Sequence, residues 1–548
     1  MTANNRPAQA TYHKRDTVWR HVEKGEFQQA LALLAQGHSE ALPEWLWVKA
    51  FCEFHLGTAS HTHSDVMALQ QVVPNDERYF SLAYQYWWIT ENYAALIRYC
   101  RLCLSLEHDL SQQGMADVWS WLGKGHCALG ELRAGIAAYG KAQAILPNDA
   151  QLMMARALAL LEQGKYEEGF TLYDVRLNSQ FGLNWVSSAK LPMPQWRGEI
   201  LQGQSLLLWS EQGLGDTLQF SRFATWLSEQ GAEVDILLRE SHRTLEGVIQ
   251  HIPGVNKVYV ERKRRLCVDR IHDFHCPLMS VMRGMILYKK ARCQSSDERF
   301  VIDHSIEALL SRAPYIPTQA FSQQYAHLPA LQKMDAQRAS VNNNTRDGGE
   351  CLQVGRLQVA MVWKSTHYLA QSMSDEELTP LRSKVMKSLS LREMEGILHM
   401  TEVDMFSLQY DPTPEEQSLL NDYGVYDCSA ELHSFSHTAA IIGAVDMVIS
   451  IDTAVAHLAG AMGKPTINLL PFVADWRWGS QRDDSAWYPS MLLYRQVWRN
   501  DWAQVLLRLQ QTVKQTALSF QQEPLVVTTK HTLRPLARLT EPMDQYLR

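Results

Sequence analysis

The stretch LLLWSEQGLGDTLQFSRFATWL, Leu206 to Leu227, constrains the fold of this chain more than any other. An apolar run with strand character enters a turn built on Gly213 and Gly215, and an amphipathic run leaves it. Strand, glycine turn, helix is the unit from which open α/β sheets are wound. It delivers a helix N-terminus to the carboxyl end of a strand. Such a terminus attracts anions, yet this one carries Asp216, which would repel a phosphate. The turn therefore predicts an α/β sheet, and a carboxylate with some task other than phosphate binding.

The same pattern recurs downstream. VDILL from Val234 and VYV from Val258 extend one α/β unit. LQVAMVW from Leu357, DMFSLQ from Asp404, DMVISI from Asp446 and PTINLL from Pro465 make a second. Between the two, the polar run around Ser340 to Glu350, ASVNNNTRDGGE, reads as a linker. Upstream of a Pro/Trp-rich hinge, KLPMPQWRG, the period becomes helical. There Trp119, Leu122, Gly123, Tyr139, Ala142 and Pro147 fall at tetratricopeptide positions. Small residues at Gly123 and Ala142 let paired helices approach closely, and Pro147 ends the second helix. Looser copies start at Val22, Tyr79 and Ala157, and PND recurs at Pro74 and Pro147. The expected fold class is α + α/β. Helical repeats occupy 1–185, Rossmann-like domains 195–345 and 355–515, and a tail 516–548.

Bulk properties narrow the function. The 548 residues are 46% hydrophobic and 20% charged, with a net charge of −7, so no basic face for nucleic acid is expected. The polar start, MTANNRPAQATYHKRD, has no apolar signal segment. The most apolar region, Ala439 to Leu470, contains Asp446, Asp452, His457 and Lys464, which suits a buried α/β core and not a membrane span. Nine cysteines, an odd and scattered set, suit reduced thiols in a cytoplasm. Cys100 and Cys103 form a CxxC within a helical run, where core packing outweighs a metal role. No metal site and no cofactor are expected.

A second candidate site lies in ISIDTAVAHLAGAMGKPTINLLP, Ile449 to Pro471. A strand ends at Asp452, and a helix follows from Thr453. Ligands of open α/β sheets bind beyond the carboxyl ends of strands, so Asp452, Thr453 and Ala454 are placed to meet one. Small residues there admit a bulky ligand to free N–H groups that suit a diphosphate, while Asp452 suits ribose hydroxyls. His457, one turn along, either reaches a phosphate or sugar or is packed; Asp452 either binds or merely caps.

Taken together these stretches resemble tetratricopeptide-containing bacterial glycosyltransferases related to the heptosyltransferases, which have two facing Rossmann domains (the GT-B fold). PQWRGEILQGQSLLLWSEQGLGDTLQFSRF from Pro194, DFHCPLMS from Asp273, ISIDTAVAHLAGAMGKPTINLLPF from Ile449, DWRWGSQRDDSAWYPSMLLYRQ from Asp475 and the repeats carry the match. It spans roughly residues 115–515. The resemblance implies that Asp216, in the acceptor-side loop with Gly213, Leu214 and Gly215, is the general base of an inverting, metal-independent transfer. A carboxylate at a helix N-terminus is expected to stay ionised for that role. The alternative is a plain helix cap. The resemblance also implies that the C-terminal domain binds a nucleotide-sugar. This chain departs from the family between Val362 and Leu391: Lys364 follows the strand, Lys387-Ser388 stands where Arg-Ser is usual, and either lysine suits the leaving diphosphate. The acidic run at Ser374 is expected to face solvent. Trp476, Trp478, Trp487 and Tyr488 are either core or ligand contacts, and Asp483 and Asp484 either donor-binding or a solvated turn.

The leading expectation is a cytoplasmic glycosyltransferase whose repeats recruit a protein acceptor, flagellin or another surface protein by analogy. Two alternatives stay open: a lipopolysaccharide or glycan acceptor, and a repeat scaffold with an inactive transferase unit.

Overall fold

The computed structural model describes residues 17–35 apart from 19 and 23, 43–56, 66, 77–105, 110–178, 191–262, 268–291, 308–344, 355–365 and 387–522. The chain divides into two compact units, Met1–Leu160 and Leu161–Arg548.

The first unit is built from helices α1 (Phe27–Ala35), α2 (Pro43–His55), α3 (Glu77–Ile89), α4 (Tyr93–Leu104), α5 (Gln112–Ala128) and α6 (Leu132–Ile145), with most of α7 (Ala150–Glu162). Consecutive helices pack as hairpins. At the tightest pair, α5 and α6, a side chain at Gly123 would meet the Tyr139 ring at 2.9 Å. The small residue that the repeat pattern demanded is thus explained by close approach. Phe80, Tyr84, Leu96, Tyr99 and Leu122 form the core, and Cys100 and Cys103 are buried with them. Burial pushes both thiols above their ordinary pKa, which suits inert packing. These helical hairpins are tetratricopeptide-like repeats.

The second unit opens with α8 (Tyr166–Tyr173) and a short 3-10 turn at Asp174–Leu177. Two parallel sheets follow. The first has β1 (Ser205–Trp209), β2 (Glu233–Leu238), β3 (Val255–Val260) and β4 (Phe274–Pro277) in the order β3-β2-β1-β4. The second has β5 (Leu357–Val362), β6 (Val403–Ser407), β7 (Tyr426–Asp427), β8 (Met447–Ile451), β9 (Thr466–Leu470) and β10 (Met491–Arg495) in the order β10-β9-β8-β5-β6-β7. Counted from its own first strand, each sheet is wound outward both ways, so the order reverses beside β1 in one and β5 in the other. A crevice opens at each reversal, between β1 and β4 and between β5 and β8. Every residue of β5, β8 and β9 is buried, as a sheet covered on both faces requires. Each fully buried Val, Ile or Leu contributes roughly 1.5–3 kcal/mol.

Helices α9 (Leu214–Ser221), α10 (Phe223–Glu229) and α11 (Val281–Lys290) belong to the first sheet; α12 (Pro329–Asn344) follows them in the chain and is bonded to the second sheet through Arg338 and Gln358. Around the second sheet lie α13 (Pro414–Asp422), α14 (Phe435–Ala444), α15 (Ala454–Ala461) and α16 (Ala503–Gln522). The start of the expected linker is corrected: residues 339–344 are the last turns of α12. Buried Ala330 and Met334 anchor that helix, and its polar end continues the established turn. Residues 345–350 lie outside the described residues, as does the acidic run at Ser374. Among the described residues no helix is long and apolar enough to cross a membrane.

Candidate functional site

The turn after β1 lies at the carboxyl end of the first sheet. Glu211 is buried there and accepts the Met279 N–H at 3.0 Å, tying the ends of β1 and β4 together. Gly213 is then the N-cap of α9, which places Asp216 in the first turn. One Asp216 oxygen accepts the Gly213 N–H at 2.6 Å, so the carboxylate caps its own helix from within. The other oxygen pairs with Arg477.

Arg477 is the hub of the site. Besides Asp216 it donates to Gln219 Oε1 at 2.6 Å and to Asp475 Oδ1 at 2.6 Å. Burial raises the Asp216 carboxyl above the usual range; Arg477 and the Gly213 N–H oppose that rise, and Asp475 and Asp452 add to it. Burial therefore works against the helix terminus and Arg477, which both favour the charged form. Asp216 thus caps its own helix and also pairs with Arg477 from the second sheet's loops.

In the second sheet Asp452 ends β8, and Thr453 is the N-cap of α15 in extended conformation. The Thr453 hydroxyl lies 3.0 Å from that of Ser450 and makes no side-chain cap. Asp452, Thr453, Ala454 and Val455 are half-exposed in a row, leaving the helix N-terminus open. Lys387 Nζ is 3.3 Å from Asp452 Oδ2. The two therefore face each other beside the β5–β8 crevice. Ser388 Oγ accepts the Ser365 N–H at 3.2 Å, holding the Lys387 segment against the end of β5.

Lys364 is elsewhere occupied. Its ammonium lies 2.5 Å from Glu416 Oε2, and Glu416 also accepts from Trp363 Nε1 and caps α13. Of the two candidate lysines, the structure brings only Lys387 to Asp452.

His457 is buried. Its Nδ1 lies 2.9 Å from the Tyr488 hydroxyl, its ring stacks on Trp478 at 5.1 Å, and Nε2 is 4.0 Å from Asp452 Oδ1. Burial, reinforced by Arg477, pulls its pKa down to about 3, so the ring is neutral. It packs against α9: a side chain at Gly215 would meet His457 Cδ2 at 2.6 Å. Gly215 thus serves close approach, and the two helix N-termini lie side by side.

Of the two readings of Trp476, Trp478, Trp487 and Tyr488, their burial favours core. Trp476 packs edge to face on Phe170 of α8 at 5.8 Å. Asp483 and Asp484 sit in surface ion pairs with Arg508 and Arg482, at 3.1 and 2.8 Å. Neither carboxylate joins Asp452 or Asp216.

Sequence reasoning missed Glu211, Asp475 and Arg477. The available signal was DWRW itself: Arg477, set between two tryptophans, is buried with them, and a buried charge needs a partner such as Asp475. Among the described residues no three His, Cys, Asp or Glu side chains converge as a metal would need.

No family model matches the chain. Protein FlbA of Caulobacter vibrioides is 27% identical over 381 residues, covering 68% of this chain and 55% of that protein. The chain thus spans about half the length of the curated relative it matches. Among solved structures, MamA of Desulfovibrio magneticus RS-1 is 16% identical with a TM-score of 0.26, covering 30% of this chain and 89% of its own. A Pseudomonas aeruginosa pilF structure is 11% identical with a TM-score of 0.28, covering 31% and 75%. Likeness at that level carries no argument about function.

Proposed function

We propose that the second unit is a glycosyltransferase of the GT-B type, moving a sugar from a nucleotide-sugar to a protein acceptor recruited by the repeats. One observation carries the reading. An acidic group on α9 and a cation-flanked, open N-terminus on α15 meet at the carboxyl ends of two doubly wound sheets. In this reading the diphosphate lies on the N–H groups of α15, with Lys387 as its counter-charge and Asp452 on the ribose. The acceptor hydroxyl attacks the anomeric carbon as the carbon–phosphate-oxygen bond breaks. Its proton passes to Asp216, and the bonding pair leaves with the diphosphate, inverting the centre. Burial makes Asp216 a stronger base than an exposed aspartate. The proposal calls for no metal ion.

A thermal-shift screen of UDP-, ADP-, GDP- and CMP-sugars tests it, followed by assay of diphosphate release with Asp216→Asn. Stabilisation by one donor class, and release lost in the variant, support the reading. No shift with any donor sinks it.

A second reading, an inactive repeat scaffold, is favoured by one observation: Asp216 and Lys387 both already have counter-ions within the protein. Donor binding without release in the wild-type chain, whatever the acceptor, would select it.

A further inference from the structure

Within the helical unit one lysine is held by aromatic rings. Lys124 of α5 holds its ammonium 4.1 Å from the centre of the Trp88 ring on α3 and 4.3 Å from that of Trp121 on its own helix. The two indoles meet edge to face with centres 6.3 Å apart, and Tyr84 stacks behind Trp121 at 5.6 Å. All of these side chains but Tyr84 are half-exposed, so the group borders solvent. Lys124 has neither a carboxylate nor a hydrogen-bond acceptor among the described residues. Burial alone pulls its pKa down, to about 8, and no neighbouring acid pulls it back. It is still protonated at neutral pH.

The ring faces offset part of the lost hydration of the ammonium, yet three N–H donors are left for water or a ligand. The indoles hold the charge at a fixed point and present apolar edges beside it. We propose that the face formed by Trp88, Trp121 and Lys124 binds a peptide carboxylate, an Asp, Glu or C-terminal group, whose apolar neighbour lies on the indoles. Charge complementarity selects this occupant. A cationic segment would be repelled, and a neutral one offers only carbonyl acceptors, weaker partners for an ammonium than a carboxylate. The inference rests on the reading that the repeats recruit a protein, and it names the chemistry by which they do so.

The test pans a bead library of random octapeptides, with free and amidated C-termini, on the full chain. Wild type should enrich peptides with a carboxylate beside an aliphatic or aromatic residue, and binding should quench tryptophan fluorescence. Resynthesised peptides should bind Lys124→Met about tenfold more weakly or worse, and Lys124→Arg within about threefold of wild type. An enriched set with no acidic bias, no enrichment at all, or unchanged affinity in Lys124→Met would overturn the proposal. If Lys124→Met lost helical circular dichroism, Trp88→Leu would decide: it keeps the charge and must lose most of the peptide affinity. Donor thermal shifts are read on the same proteins. A chain that binds acidic peptides but no nucleotide-sugar sinks the enzyme reading and leaves this one standing. A chain that binds the donor but no acidic peptide does the reverse.

Discussion

Arg176 grips Glu211 through two parallel hydrogen bonds of 2.9 and 2.8 Å, with both side chains buried. The arginine follows α8, at the end of the repeats, and the glutamate lies in the turn that presents Asp216. Asp174 and Ser280 complete the network at 2.8 Å each. The repeat-derived segment is therefore part of what holds the candidate base in place. Arg176→Met would strand the Glu211 charge in the interior and should destabilise the second unit by about 3–5 kcal/mol in urea unfolding. Arg176→Met combined with Glu211→Leu should recover most of that loss. A single variant that unfolds like wild type would show the pair to be idle.

Gly215→Ala tests the contact between the two helix N-termini. The added methyl would meet the His457 ring at 2.6 Å, and that ring is fixed by Tyr488 and Trp478. Overpacking of this kind costs about 1–3 kcal/mol. A fall in the melting temperature together with weaker donor binding is the expected result; Gly140→Ala, where a methyl meets nothing within 4 Å, is the control.

The two lysines separate by the same logic. Lys387→Met should weaken nucleoside diphosphate binding about tenfold or more, the worth of a charge-assisted hydrogen bond. Lys364→Met should change it little, because that ammonium already serves Glu416. Isothermal titration reads both, and the opposite ranking would move the phosphate site to the α13 side of the crevice.

Acid should destabilise the second unit. Burial lowers His242 and His275 to about 4, and His457 to about 3, so the folded chain refuses protons that the unfolded chain accepts. Stability from these groups is complete above the unfolded histidine pKa of about 6.5, and it falls as pH drops towards the folded values. At pH 5 each contributes a loss of up to roughly 2 kcal/mol. His275→Gln keeps an acceptor for the Trp209 indole, 3.2 Å away in the native chain, and should flatten the decline in melting temperature between pH 7 and 5. An unchanged slope would mean that His275 takes up its proton in the folded state.

Much of the strand pattern was legible in sequence because runs such as LLLW and MVISI are apolar, β-rich and ended by turn residues. The strand β4 escaped because it is four residues long and ends at Pro277. At the site, Asp216 and Asp452 were legible from their places at strand ends. Arg477 was not: it meets Asp216 from 261 positions away, and no local period encodes a meeting between loops of two sheets. The choice between Lys364 and Lys387 was equally out of reach, since it turns on Glu416, 52 positions from Lys364 along the chain. His457 had two readings in sequence; the Tyr488 and Trp478 contacts favour the packed one.

The boundary between the compact units falls inside α7, between Leu160 and Leu161, and not where the repeats run out. For anyone grafting a different array of repeats onto this α/β body, the splice point follows from that. A chimaera joined after Leu177 would discard Phe170, Tyr173 and Arg176, removing the ring against Trp476 and leaving Glu211 with an orphaned charge. A chimaera joined near Leu161 would carry those residues across as native lining and exchange only the helices before them. The last half-repeat travels with the body, whatever array precedes it.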